Sequence, residues 1–205
     1  EVDRANEKGA TPLFIACWKG HVDAARLLLD KGEDVNRARK DGQTPLFAAC
    51  SKGHVDAARL VLGHGAEVDR VDKWGNTPLL AACLKGHVDA ARLLLDKGAK
   101  ASRAAKDGST PLAIAKREDH DAVVALLEEH MDSKFPLHAA ARTGDVDAMT
   151  QLLDGGAEVD AKKDGATPLF VACQDGHVDV ARLLLERGAG VDQADKAGWT
   201  PLMAV

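Results

Sequence analysis

The sequence predicts an all-α solenoid of helix-turn-helix units joined by β-hairpin-like turns. Three observations lead there. Thr-Pro-Leu recurs from Thr11, Thr44, Thr77, Thr110, Thr167 and Thr200, and Phe135-Pro136-Leu137 supplies a variant copy. All seven prolines of the chain are used at this one position. Successive prolines lie 33, 33, 33, 25, 32 and 33 residues apart, a period in the range where repeats stack and cover one another's apolar faces.

The stretch 41–73 serves as the type unit. Thr44 suits an N-cap, and Pro45 suits the first helical position, where its missing N–H costs nothing. Leu46, Ala49 and Cys50 then share one face of a short helix, and Gly53 can take the left-handed conformation that ends it. A second helix from about Val55 presents Ala58, Val61 and Leu62 inward and stops at Gly65. Isolated helices need roughly 12–15 residues to persist in water, so each unit depends on its neighbours for cover.

This pattern resembles the ankyrin repeat: a Thr-Pro-Leu start, Gly-His between the helices, a leucine-rich second helix and Gly-Ala before the turn. The resemblance covers essentially the whole chain. One departure recurs. The family's usual His after Thr-Pro-Leu is replaced by Phe14, Phe47, Leu80, Ala113, Phe170 and Met203, and only His138 keeps it, which adds apolar bulk at the hairpin base.

In order, residues 1–7 match the tail of a repeat, and full units follow at 8–40, 41–73 and 74–106. The unit from 107 differs: Asp119 stands where the others have Gly, and Glu128, Glu129 and His130 end its second helix without Gly-Ala, as a polar terminal cap would. The repeat spacing breaks near residue 131, and Phe135 to Gly156 reads as an opening repeat. The expected division is therefore 1–130, an array whose last repeat is cap-like, and 131–205, two repeats and the start of a third. Charge divides at the same place. Residues 1–130 carry 20 basic against 20 acidic side chains and 131–205 carry 7 against 12, so the whole net charge of −5 lies in the second part. Both ends fall in mid-unit. The apolar residues Leu202, Ala204 and Val205 are expected to find a cover in another chain, a second copy, or residues outside this sequence next to Glu1, which makes self-association through open repeat ends a second reading.

Several function classes are excluded by what the chain lacks. No signal peptide and no run of about 18 apolar residues occurs, so neither secretion nor a membrane span is expected. The reading is an intracellular, cytoplasmic protein, with the nucleus left open. The acidic balance argues against nucleic acid as the main ligand. Cys17, Cys50, Cys83 and Cys173 share one repeat position on stacked first helices about 8–10 Å apart, beyond disulfide reach, and read as buried free thiols. Five of the eight histidines (His21, His54, His87, His120, His177) share the Gly-His turn, which suits structure better than five active sites. No metal-ligand spacing, phosphate loop or nucleophile elbow is present, so no catalytic residue, metal or cofactor is expected. Asp23/Arg26, Asp56/Arg59, Asp89/Arg92 and Asp179/Arg182 are expected to form solvated i,i+3 pairs worth roughly 0.2–0.5 kcal/mol each.

The resemblance implies a non-enzymatic module that binds another protein on its concave side. Carried onto this chain, the partner-binding positions are Trp18, Lys19, Lys40, Lys52, Lys73, Trp74, Leu84, Lys85, Lys106 and Trp199, with Lys31, His64 and Lys97 counted among them. Lys19, Lys52 and Lys85 form one expected row and Lys40, Lys73 and Lys106 another, so the expected partner carries an acidic segment with a few apolar anchors. The resemblance also brings asparagine hydroxylation at one turn position. It is filled by Asp3, Asn36, Asp69, Ser102, Asp160 and Asp192, so only Asn36 could be the target.

Overall fold

The computed structural model describes residues 4–163 and 165–204. Glu1, Asp3 and Val205, named in the expectations above, lie outside them. Twelve α-helices occur among the described residues, with no strand. They come in pairs: α1 (Pro12–Lys19) and α2 (Val22–Asp30), α3 (Pro45–Ser51) and α4 (Val55–Gly63), α5 (Pro78–Leu84) and α6 (Val88–Asp96), α7 (Pro111–Arg117) and α8 (Asp121–Lys134), α9 (Pro136–Thr143) and α10 (Val146–Asp154), α11 (Pro168–Gln174) and α12 (Val178–Glu186). A short 3-10 turn, Pro201–Met203, follows. The all-α repeat solenoid expected from the proline spacing is the fold observed.

Five of the six first helices start for the same local reason. The hydroxyls of Thr11, Thr44, Thr77, Thr110 and Thr167 accept from the amides of Phe14, Phe47, Leu80, Ala113 and Phe170 at 3.1–3.3 Å, and the proline occupies the following position. Phe135 caps α9 without a side-chain hydrogen bond, so there the proline acts alone. Gly20, Gly53, Gly86, Gly144 and Gly176 reverse the chain at φ between 68° and 75°. At the equivalent point Asp119 is held at φ 56°, a conformation that Asp tolerates better than most residues.

The chain forms two compact units, 1–128 and 129–205, and the division falls inside α8. That helix runs on to Lys134 rather than ending near His130, so α9 follows almost directly and no hairpin turn separates the two. In the first unit Leu13, Leu46, Leu79, Cys50, Cys83, Leu94 and Leu127 are fully buried in one continuous core. Ala57 and Leu60 join it, beyond the inward set the periodicity picks out, so the buried stripe of α4 is wider than that set. The second unit has its own core around Leu137, Met149, Leu169, Val180 and Leu184.

The face by which repeats stack changes at the end of the first unit. Lys116 and Glu128 occupy the positions of Cys83 and Leu95, and form a 3.0 Å ion pair where those two are apolar and buried. At the positions of Leu60 and Leu93, α10 carries exposed Gln151. The turns between units close by hairpin-like bonds without regular strands: Arg39 N–H to the Gln43 carbonyl and Asp72 N–H to the Asn76 carbonyl, at 2.9 and 3.0 Å. None of the i,i+3 Asp/Arg pairs on the second helices closes to ion-pair distance among the described residues. Their side chains remain separately solvated.

Candidate functional site

In the first unit, four successive repeats line a pocket of about 320 Å³. Its floor is apolar: Phe47, Leu80 and Ile114 are buried there. Trp18, Trp74 and Leu84 wall it and are exposed to 45, 50 and 37 %. Lys52 and Lys85 add positive charge, and Gln43, Ser51, Asp72 and Asn76 supply polar groups. Phe47 and Leu80 stand where His138 stands in the second unit. There the buried imidazole donates from Nε2 to the Ala166 carbonyl at 3.0 Å. Replacing that polar ring with hydrocarbon is what makes the floor greasy.

The two tryptophans already carry cations. The Lys52 ammonium sits 5.0 Å from the centroid of the Trp18 ring, and that of Lys73 sits 4.3 Å from Trp74. Such contacts are worth about 0.5–1 kcal/mol at exposed sites. Asp72 is 4 % exposed, and its carboxylate is fully engaged by the amides of Trp74 and Asn76, each at 2.9 Å, and by the Asn76 side chain at 3.2 Å. It builds the hairpin that presents Trp74 rather than offering charge to the pocket.

The remaining expected residues divide by place. Lys19 ends α1, and Lys52 and Lys85 cap α3 and α5, where a cation also complements the helix C-terminus. Lys40, Lys73 and Lys106 occupy successive hairpin tips, their amides donating to the carbonyls of Lys8, Asp41 and Trp74 in the preceding tip. Lys19, Lys40 and Lys106 are exposed and do not line the pocket. Trp199 belongs to the second unit, exposed beside Asp195, which accepts from its amide at 2.9 Å. Lys31, His64 and Lys97 are misplaced by the sequence reading: each caps the end of a second helix, away from the pocket. Phe47, Leu80, Ile114 and Gln43 were missed. The Phe and Leu in place of the family histidine were the available signal.

The family model for ankyrin repeats matches three times, over residues 1–72, 60–135 and 137–205. The chain belongs to the ankyrin-repeat family. Ankyrin repeats generally mediate protein–protein interaction, and no catalytic family is indicated. No curated protein matches the chain.

Two further side-chain sets bind one ankyrin unit to the next. The Asn36 amide donates to the Gly65 carbonyl at 3.2 Å and accepts from the Glu67 amide at 2.9 Å, while Asp69 and Asp160 accept from Lys100 and Gly190 at the same repeat position. The turn histidines are the other set. His120 donates from Nε2 to the Leu84 carbonyl at 3.3 Å and His177 to that of Arg142 at 2.9 Å. Burial pushes the His87 imidazole below its ordinary value of 6.5, against a hydrogen bond to the Ser51 backbone, and the nearby charges of His54, His120 and Lys52 push the same way. The four cysteines are free thiols, and burial pushes Cys17 and Cys83 up to about 12. Among the described residues, no group of three or more His, Cys, Asp or Glu could hold a metal ion, and no helix is long and apolar enough to cross a membrane.

Proposed function

We propose that this ankyrin-repeat chain is a non-enzymatic interaction module that binds an extended acidic segment of another protein across the Trp/Lys face of its first unit. The observation that carries the reading is the convergence of exposed Trp18, Trp74 and Leu84 with Lys52 and Lys85 on one pocket that successive repeats build together. Large aromatics beside basic residues are what interface hot spots use. Rows of exposed lysine chiefly speed encounter, since exposed charge pairs alone give about 0–1 kcal/mol. The tryptophans therefore supply most of the affinity. Four free cysteines suit a reducing compartment, and we place the protein inside the cell.

A panel of immobilised Asp/Glu-rich peptides, measured by surface plasmon resonance against the full chain, tests this. Trp74→Ala weakens binding more than Lys52→Ala, and added salt slows association more than it hastens dissociation. Binding that is untouched by Trp18→Ala and Trp74→Ala together overturns the assignment of the face.

A further inference from the structure

We infer that the pocket in the first unit is an anchor site for one large apolar side chain of the partner, with the Gln43 amide holding the main chain of the anchoring residue. The inference rests on the acidic-segment reading above and names what that segment must contain. Its volume, about 320 Å³, lies at the small end of the roughly 300–1,000 Å³ range of ligand pockets. That suits a short piece of extended chain and not a helix laid lengthwise.

The lining selects hydrocarbon. Phe47 and Leu80, at 7 and 1 % exposure, make a floor with no polar atom, at a repeat position where His138 carries an imidazole. A cationic occupant is disfavoured on two counts. One face of each tryptophan ring already holds a cation, Lys52 on Trp18 and Lys73 on Trp74, and the one carboxylate, Asp72, is buried and takes three hydrogen bonds from its own hairpin. The same two lysines occupy one face of each ring on which nucleic-acid bases would stack. What the lysines can do is leave the rings for carboxylates beside the anchor, so an apolar residue flanked by Asp or Glu matches both parts of the site.

The Ser51 hydroxyl donates to the Ala48 carbonyl at 3.0 Å, which leaves Gln43. It is half-buried, it lines the pocket, and among the described residues its side-chain amide has no hydrogen-bond partner, whereas the neighbouring Asn76 amide is spent on Asp72. A free primary amide offers one donor edge and one acceptor edge, the complement of a peptide group in an extended chain.

Fluorescence anisotropy of the full chain tests the inference with three labelled probes: a short Asp/Glu-rich peptide with a central Leu, the same peptide with a central Ala, and an oligouridylate. The Leu peptide is expected to bind about tenfold tighter than the Ala peptide. Phe47→His, which restores the family residue, narrows that ratio, and so does Leu84→Ser on the exposed wall should Phe47→His fail to fold. Gln43→Met weakens both peptides by a similar factor and leaves the ratio unchanged. Equal binding of the two peptides overturns the anchor while leaving the acidic-segment reading intact. Failure of both peptides, or tighter binding of the oligouridylate, overturns that reading as well.

Discussion

The His87 ring lies against Gly53 so closely that a Cβ on the glycine would fall 2.7 Å from Nδ1. Gly53 has φ 72°, and Gly65 has φ 88°, but a Cβ at Gly65 would meet nothing within 4 Å. The two positions therefore separate backbone cost from steric cost. Gly65→Ala should destabilise by about 1 kcal/mol through its left-handed backbone alone. Gly53→Ala should lose clearly more, because the imidazole of the next repeat must also move. Urea midpoints of the two variants, measured side by side, check this, and equal losses would show that the ring yields freely.

The same ring gives the array a pH dependence. Burial lowers the His87 pKa from 6.5, so the fold favours the neutral imidazole. A group depressed on folding contributes stability that is present above its unfolded pKa and lost as pH falls through the folded one. The first unit should thus melt at progressively lower temperature as pH drops below about 6.5. His87→Gln should reduce the slope in that window, which thermal melts at a series of pH values will read.

The end of the first unit predicts a contrast in cost. Lys116 and Glu128 make a solvent-exposed ion pair, whereas Leu95, equivalent to Glu128, is 4 % exposed. Lys116→Ala should change stability by less than about 1 kcal/mol. Leu95→Ala removes packed hydrocarbon and should cost about 2–5 kcal/mol. Chemical denaturation of the two variants decides whether the polar end face bears any of the load that the stacking face does.

Thiol reactivity should follow burial. Burial raises the Cys50, Cys17, Cys83 and Cys173 thiols, but Cys173 is only half-buried. In native buffer Ellman's reagent should label Cys173 first. Cys50, fully buried, should react only at the rate of unfolding of its unit. Mass spectrometry of partly labelled protein would show the order.

Much of this was legible because it is local. Thr44, Pro45 and Gly53 act through their own backbone, so spacing alone places α3 and its end. Ala57 and Leu60 were not legible as core, since they lie beside Ala58 and Val61 on α4 and the periodicity does not say how wide the buried stripe is. Met131-Asp132-Ser133-Lys134 reads as a link between arrays, yet none of these residues breaks a helix and α8 runs through them. Trp18 and Trp74 stood out as large apolar residues at positions without core periodicity. The pocket floor did not, because Phe47 and Leu80 looked like filler at the hairpin base until successive repeats were stacked. Lys31, His64 and Lys97 were misassigned for a similar reason: sequence puts them near a turn but does not say which of the two ends of a repeat that turn occupies.

The placement of the tryptophans also makes the molecule its own optical probe. The chain has three tryptophans and no tyrosine. Two of the indoles, Trp18 and Trp74, flank the pocket, each beneath an ammonium group, while Trp199 sits in the other unit. Any occupant that strips water from the pocket or draws the lysines off the rings alters the emission of two fluorophores at once, against the steady glow of the third. Occupancy of an unlabelled, unmodified chain can therefore be followed by its ultraviolet colour alone.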